Sequence, residues 1–222
     1  MAVNDIISDY VEHKLTLKEL SVKYRKGVST IQRRLRQMRH IHVISRYKDV
    51  VIQMDTTYWG RNYGLMVIKD ALRGKILWYK YVRNETVAGC VQGVEWLEQH
   101  DFTIHGTVCD GLRGLFKALS KYRVQMCQVH QQRIVRTYLT RNPELEASRE
   151  LLDLSNRLTS STKYSFVGKL EQWHGRWKSF LSERSTELSG KTHFTHRTLK
   201  SAYLSLKRNM PYLWTAYDNP NL

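Results

Sequence analysis

The chain has 222 residues, 41% of them hydrophobic, with only 3 Pro and 12 Gly, which is enough for a buried core in one or two domains and excludes a disordered or fibrous protein. Its 36 Lys and Arg against 20 Asp and Glu leave a formal charge of +16, an excess whose commonest physical use is attraction to polyphosphate, so nucleic acid is the expected partner. No apolar run approaches the ~20 residues of a membrane span, Met1 to Asp9 lacks the pattern of a secretory signal, and the cysteines Cys90, Cys109 and Cys127 are spaced unlike a disulfide framework. A cytoplasmic protein with reduced thiols and no membrane attachment is expected.

Residues 3–40 carry helical periodicity only, with apolar stripes at Ile6, Ile7, Tyr10 and Val11, at Leu17, Leu20 and Tyr24, and at Val28, Ile31, Leu35 and Met38. Thr16 with Glu19, and Ser29 with Gln32, have the spacing of capping boxes, and Gly27 separates the two helices they open. Two short helices joined through a Gly-containing turn form the pattern of a helix-turn-helix head. No acidic residue lies between Glu19 and Asp49, so the second helix presents an almost purely cationic polar face. Thr30, Gln32, Arg33, Arg34, Arg36 and Arg39 are the expected contacts to bases and phosphates of double-stranded DNA.

From Val50 the pattern changes to strands over Val50–Thr57, Tyr63–Ala71 and Ile76–Val82, with a turn at Leu72 to Lys75. A helix is expected from Thr86 to Gln99, a strand from Thr103 to Cys109, a helix from Leu112 to Lys121 and a short strand from Val124 to Cys127. Three antiparallel strands followed by helix, strand, helix and strand is the order of a ribonuclease-H-like mixed sheet, an order that other α/β layouts share in part. The reading divides the chain into a head at 1–46, the first part of an α/β core at 47–130, and a helical insertion with the end of the core at 131–222. Helices in that last part are expected near Val129–Thr140, Glu144–Thr159, Tyr164–Glu183 and Phe194–Lys207.

Asp55 and Asp110 each end an apolar strand, in the segments MDTTYWG and TVCDG. Paired carboxylates at the ends of neighbouring strands suit Mg2+ or Mn2+ in phosphodiester chemistry, whereas either alone is the common cap of a turn. Cys127 and His130 have the spacing of half a zinc site without a visible other half, so no zinc is expected. Trp173 and Trp177, four residues apart on one helix face, read either as core or as platforms for an unpaired base.

MDTTYWG, VCDGLRGL and MCQVH together resemble bacterial insertion-sequence transposases of the Mutator-like group. The resemblance implies that Asp55 and Asp110 are catalytic metal ligands, that Cys127 and His130 are motif residues beside them, and that Gln131 to Leu222 is a helical insertion. It further implies DNA cleavage and strand transfer on terminal inverted repeats and target DNA, with self-association on DNA in the bacterial nucleoid. The family's third carboxylate would follow a segment such as Tyr212 to Trp214 and fall past Leu222. The expectation is therefore a chain that binds DNA, holds metal weakly and transfers strands little or not at all. Its alternatives are a non-catalytic inhibitor of an intact transposase and a helix-turn-helix regulator.

Overall fold

The structure, a computed structural model, describes residues 5–6, 9–10, 13, 15–37, 47–58 and 64–219. The first elements are α1 (Leu17–Tyr24) and α2 (Val28–Gln37). Thr16 caps α1 and exchanges bonds with Glu19 in a capping box, while Arg25 leaves the helix in the left-handed region at φ 49°. The second helix starts one residue before the expected Ser29. Thr30 and Ile31 both donate their amides to the Gly27 carbonyl, so Gly27 takes the cap position that the spacing assigns to Ser29. Ile6, Leu20, Ile31 and Leu35 form the small apolar centre of this head. Lys23 donates to Asp9 at 2.6 Å and the Tyr24 hydroxyl also donates to it, so the buried carboxylate ties the preceding segment to α1.

The next part of the chain is β1 (Asp49–Tyr58), β2 (Gly64–Asp70), β3 (Ile76–Val82), α3 (Val87–Gln99), β4 (Thr103–Cys109), α4 (Leu115–Ala118) and β5 (Arg123–Met126). These strands form one mixed sheet in the order β3-β2-β1-β4-β5. The β1, β2 and β3 pairings are antiparallel, whereas β4 runs parallel to both β1 and β5. Parallel neighbours require crossover connections, which α3 and α4 supply.

Alternation along β1 decides which side chains face where. Val50, Ile52 and Met54 are buried in a core shared with Cys90, Val94 and Leu97 of α3. Gln53, Asp55 and Thr57 therefore take the opposite face. Thr86 caps α3 by accepting from the Gly89 amide. At Gly93 the helix lies so close to the sheet that an added Cβ would stand 2.6 Å from Ile68 and 2.9 Å from the Trp78 ring.

After β5 come α5 (Gln128–Leu139), α6 (Glu146–Asn156), α7 (Lys163–Trp177), β6 (Arg184–Thr186), β7 (Thr192–Phe194), α8 (Arg197–Asn209) and α9 (Thr215–Asp218). Their helices surround a second large core that contains Val135, Leu151, Phe166, Leu206 and Trp214, and Met126 of β5 joins it. Inside it, Asn209 donates to Gln131 at 2.7 Å and Gln131 donates to Ser205 at 3.0 Å, a buried polar link between α5 and α8. The chain then returns to the sheet edge, where the Thr215 hydroxyl donates to the Val124 carbonyl and the Ala216 amide to Gln125.

Two expectations need correction. Between Leu112 and Lys121 only Leu115–Ala118 is α-helical, because Gly114 turns the chain at φ +90° and the Asp110 carboxylate holds the Leu112 amide at 3.0 Å. The helix expected to reach Glu183 ends at Trp177, and a small β6–β7 hairpin follows it. Its strands are three residues each, too short for alternation to distinguish them from loop.

Candidate active site

The parallel register of β1 and β4 pairs Gln53 with Val108. Two residues further along come Asp55 and Asp110, side by side at the same end of the sheet. Cys109 is buried in the core on the α3 side, and Asp110 follows it just past the end of β4, where its charge reaches Glu85 and Cys90. The sequence places each aspartate there by ending an apolar run with a carboxylate, which is costly to bury and comes to rest at the solvated rim.

Each aspartate spends one oxygen on its own backbone surroundings. Asp55 Oδ1 accepts from the Thr56 amide at 2.9 Å, and Asp110 Oδ1 accepts from the Leu112 amide at 3.0 Å. His130, in the first turn of α5, brings Nε2 to 3.7 Å from Asp55 Oδ1. Its Nδ1 is buried without a hydrogen-bond partner among the described residues. Cys127 stands at the N-cap of the same helix, so the C-x-x-H pair lies beside the aspartates. Gln131, the next residue, is fully buried and anchored by Ser205 and Asn209, which fixes the turn of α5 that carries His130.

A third carboxylate, which the sequence pattern did not single out, stands close by. Glu85 precedes the cap of α3 and approaches the same strand ends. Its carboxylate accepts from the Thr56 hydroxyl at 2.9 Å, and its amide donates to the Tyr58 hydroxyl at 2.5 Å. Burial raises the Glu85 pKa, and the negative charges of Asp110 and Asp55 raise it further, against the opposing Thr56 hydrogen bond. Burial and then the Glu85 and Asp110 charges push the Cys90 thiol up to about 12, and Cys109 is raised by burial, Asp110 and its other acidic neighbours. Both behave as neutral, buried side chains.

The oxygen donors at this rim fit a hard divalent cation. Mg2+ is usually held by one or two carboxylates, with waters and substrate phosphates completing its shell. Two aspartates at one end of neighbouring strands, each with one oxygen bonded to a backbone amide and a second oxygen besides, are of the donor type that need calls for. Among the described residues no group of three or more His, Cys, Asp and Glu side chains is close enough to hold a metal unaided.

The head residues divide. Arg33 is exposed, while Thr30, Gln32 and Arg34 are half-buried, and Gln32 turns toward a groove over the sheet rather than outward. Arg36 lies in α2 by its backbone, and Arg39 falls outside the described residues. Trp173 does not present a platform for bases. It is 5% exposed in the helical core, and its indole donates to the Ala147 carbonyl at 3.0 Å. Trp177 packs at the edge of that core and donates to Glu150 at 2.8 Å.

No protein-family model matches the chain, and no curated protein matches it in sequence. Among solved structures, a chain of the simian T-cell lymphotropic virus intasome in complex with PP2A regulatory subunit B56 gamma aligns with 10% identity. The alignment covers 89% of this chain and 66%, just under two thirds, of that one, with a TM-score of 0.29. At that score the likeness carries no argument about fold or chemistry. No helix among the described residues is long and apolar enough to cross a membrane.

Proposed function

We propose that the chain is a DNA transposase of the Mutator-like insertion-sequence group, with a ribonuclease-H-like core that cleaves phosphodiesters at Asp55 and Asp110 and a head that binds double-stranded DNA. The observation that carries this reading is the parallel register of β1 and β4, which brings Asp55 and, just past the end of β4, Asp110 to the same end of the sheet. A turn-capping role needs only one of them at a time. The proximity favours this reading over a regulator with an unrelated effector domain, for which the two positions have no reason to meet.

Mg2+ or Mn2+, when bound, stabilises the attacking and leaving oxygens of an in-line displacement. The side chains contribute the rest. Asp55 and Asp110 hold the charge and orient the site through their bonds to the Thr56 and Leu112 amides. His130 stands 3.7 Å from Asp55. Glu85 adds negative potential behind both aspartates and sharpens the demand for a cation there. The net charge of +16 draws the duplex in, and subunits meet on it at the element's terminal repeats.

The test is nicking of supercoiled plasmid with Mn2+ by the purified chain. Cation-dependent nicking that disappears in both Asp55→Asn and Asp110→Asn is expected. Nicking that both variants retain, or none in the wild type, would contradict the reading.

A further inference from the structure

The face of the sheet away from α3 is partly covered. The head stands over one side of it and α5 over the other, and between them runs a groove of about 1310 Å3. Lys18 of α1 and Gln32 of α2 line the head side, and His130 and Arg133 of α5 line the other. Leu65, Val67 and Lys69 of β2 lie in the floor, which continues to Asp55 at one end and to the turn at Lys75 at the other.

The charge on this lining is one-sided. Lys18, Lys69, Arg73, Lys75 and Arg133 face a single acidic residue, Asp55. Arg73 is taken by Asp70 at 2.7 Å, and the other four have no ion pair with an acidic residue among the described residues. A groove whose cations stand beside apolar side chains of the floor suits an unpaired nucleic-acid strand, whose bases can lie on the apolar surface while its phosphates meet the cations.

Width separates a single strand from a duplex. The floor spans β1, β2 and the start of β3, about two strand spacings or roughly 10 Å. The major groove of B-DNA alone is about 12 Å wide, so a duplex cannot lie down in the channel. Gln32 turned toward the channel explains why this residue of α2 is withdrawn from the outer surface that Arg33 keeps.

We propose that this groove receives an unpaired DNA strand and leads its phosphates to Asp55. The inference rests on the proposed function and names the form of substrate that reaches the carboxylates, an opened strand and not intact duplex. The head's outer surface and the groove then bind different forms of DNA.

The test compares fluorescence anisotropy of a labelled oligodeoxythymidine and of a labelled duplex on the full chain. Lys18→Glu on the head side and Lys75→Glu at the end of the groove change exposed positions, so neither endangers the fold, and Lys69→Gln probes the floor. Each is expected to weaken oligodeoxythymidine binding on the order of tenfold, with Lys69→Gln lowering the salt slope by about 0.7. Duplex binding should stay within about twofold of wild type for all three. Arg33→Ala should do the reverse. Oligodeoxythymidine binding unchanged in all three groove variants, or lost in parallel with duplex binding, would overturn the groove assignment. If duplex binding and Mn2+-dependent nicking persist in that case, the groove alone is wrong. If the wild type neither binds duplex nor nicks it, the transposase reading fails, while a groove-dependent loss of oligodeoxythymidine binding would still uphold the single-strand site.

Discussion

Two aspartates on the same sheet, Asp70 and Asp55, show how differently one protein treats a carboxylate. Asp70, opposite Ile52 on the neighbouring strand, is 1% exposed. It accepts from the Leu72 and Arg73 amides at 2.9 and 3.1 Å and from the Arg73 guanidinium at 2.7 Å. Burial alone would raise its pKa, but the Arg73 and backbone bonds outweigh that and lower it. At the other end the charges of Asp55, Asp110 and Glu85 gather, and His130 stands 3.7 Å from Asp55. Charge neutralised within a turn stabilises the fold. Charge gathered at a rim is what the proposed cation would neutralise.

The contrast breaks most sharply under substitution at the rim. Asp55→Asn or Asp110→Asn is expected to reduce Mn2+-dependent nicking by a hundredfold or more, since such an ion supplies several kcal/mol of charge stabilisation, roughly. The same change should leave urea-unfolding stability unchanged or slightly higher, because like charges are removed. Asp70→Ala should do the opposite. It strips a buried network of its acceptor and is expected to cost about 2–3 kcal/mol in urea unfolding, with nicking per folded molecule preserved. Equal stability losses at Asp70 and Asp55 would erase the distinction.

The buried link behind the site offers an intermediate case. Gln131→Leu leaves Ser205 and Asn209 without their partner and should cost about 1–3 kcal/mol in the same unfolding experiment. Nicking should fall as well, because the turn bearing His130 loosens. Normal stability with normal nicking would show that His130 needs no such anchor.

Protonation sharpens the comparison with opposite signs. Asp70 has a depressed folded pKa, so its stabilisation is present above its unfolded pKa and is lost as pH falls through the lower folded value. Glu85 has a raised folded pKa, so stability falls as pH climbs from its unfolded value to the folded one, and a constant penalty persists above. Glu85→Gln should therefore raise stability at neutral pH and change nothing once pH is below the unfolded range. Urea midpoints across pH would check both, and a stabilisation by Glu85→Gln that persists at low pH would contradict the account.

Much of this arrangement was legible in the residues. β3 and β4 fall where alternation puts them, at Ile76–Val82 and Thr103–Cys109, because each is a run of β-favouring side chains between clear turn signals. The start of α3 was readable at Thr86, which stands as its cap, and Asp55 and Asp110 as carboxylates that end apolar runs, although β1 continues past Asp55 to Tyr58. Their meeting could be expected only through the order of a ribonuclease-H-like sheet, since strand order depends on a crossover through α3 that no local pattern encodes.

Glu85 escaped notice for the same reason. It lies in a loop without periodicity, and its meaning comes from Thr56, 29 residues away. The signal available was its place just before the cap of a helix packed on the strand that bears Asp55. The head was legible as two helices, but the packing that turns Gln32 toward the sheet is a tertiary fact. Trp173 and Trp177 read either as core or as platforms for a base, and Trp173 is core, since four-residue spacing identifies a shared face without saying which way it looks.

The central claim, that Asp55 and Asp110 form one divalent-cation site, is tested most directly by titrating Mn2+ into the full chain by isothermal calorimetry. The account predicts saturable binding in the wild type that is lost in both Asp55→Asn and Asp110→Asn and retained in Arg33→Ala. Mn2+ binding of equal strength in the wild type and both aspartate variants would contradict it.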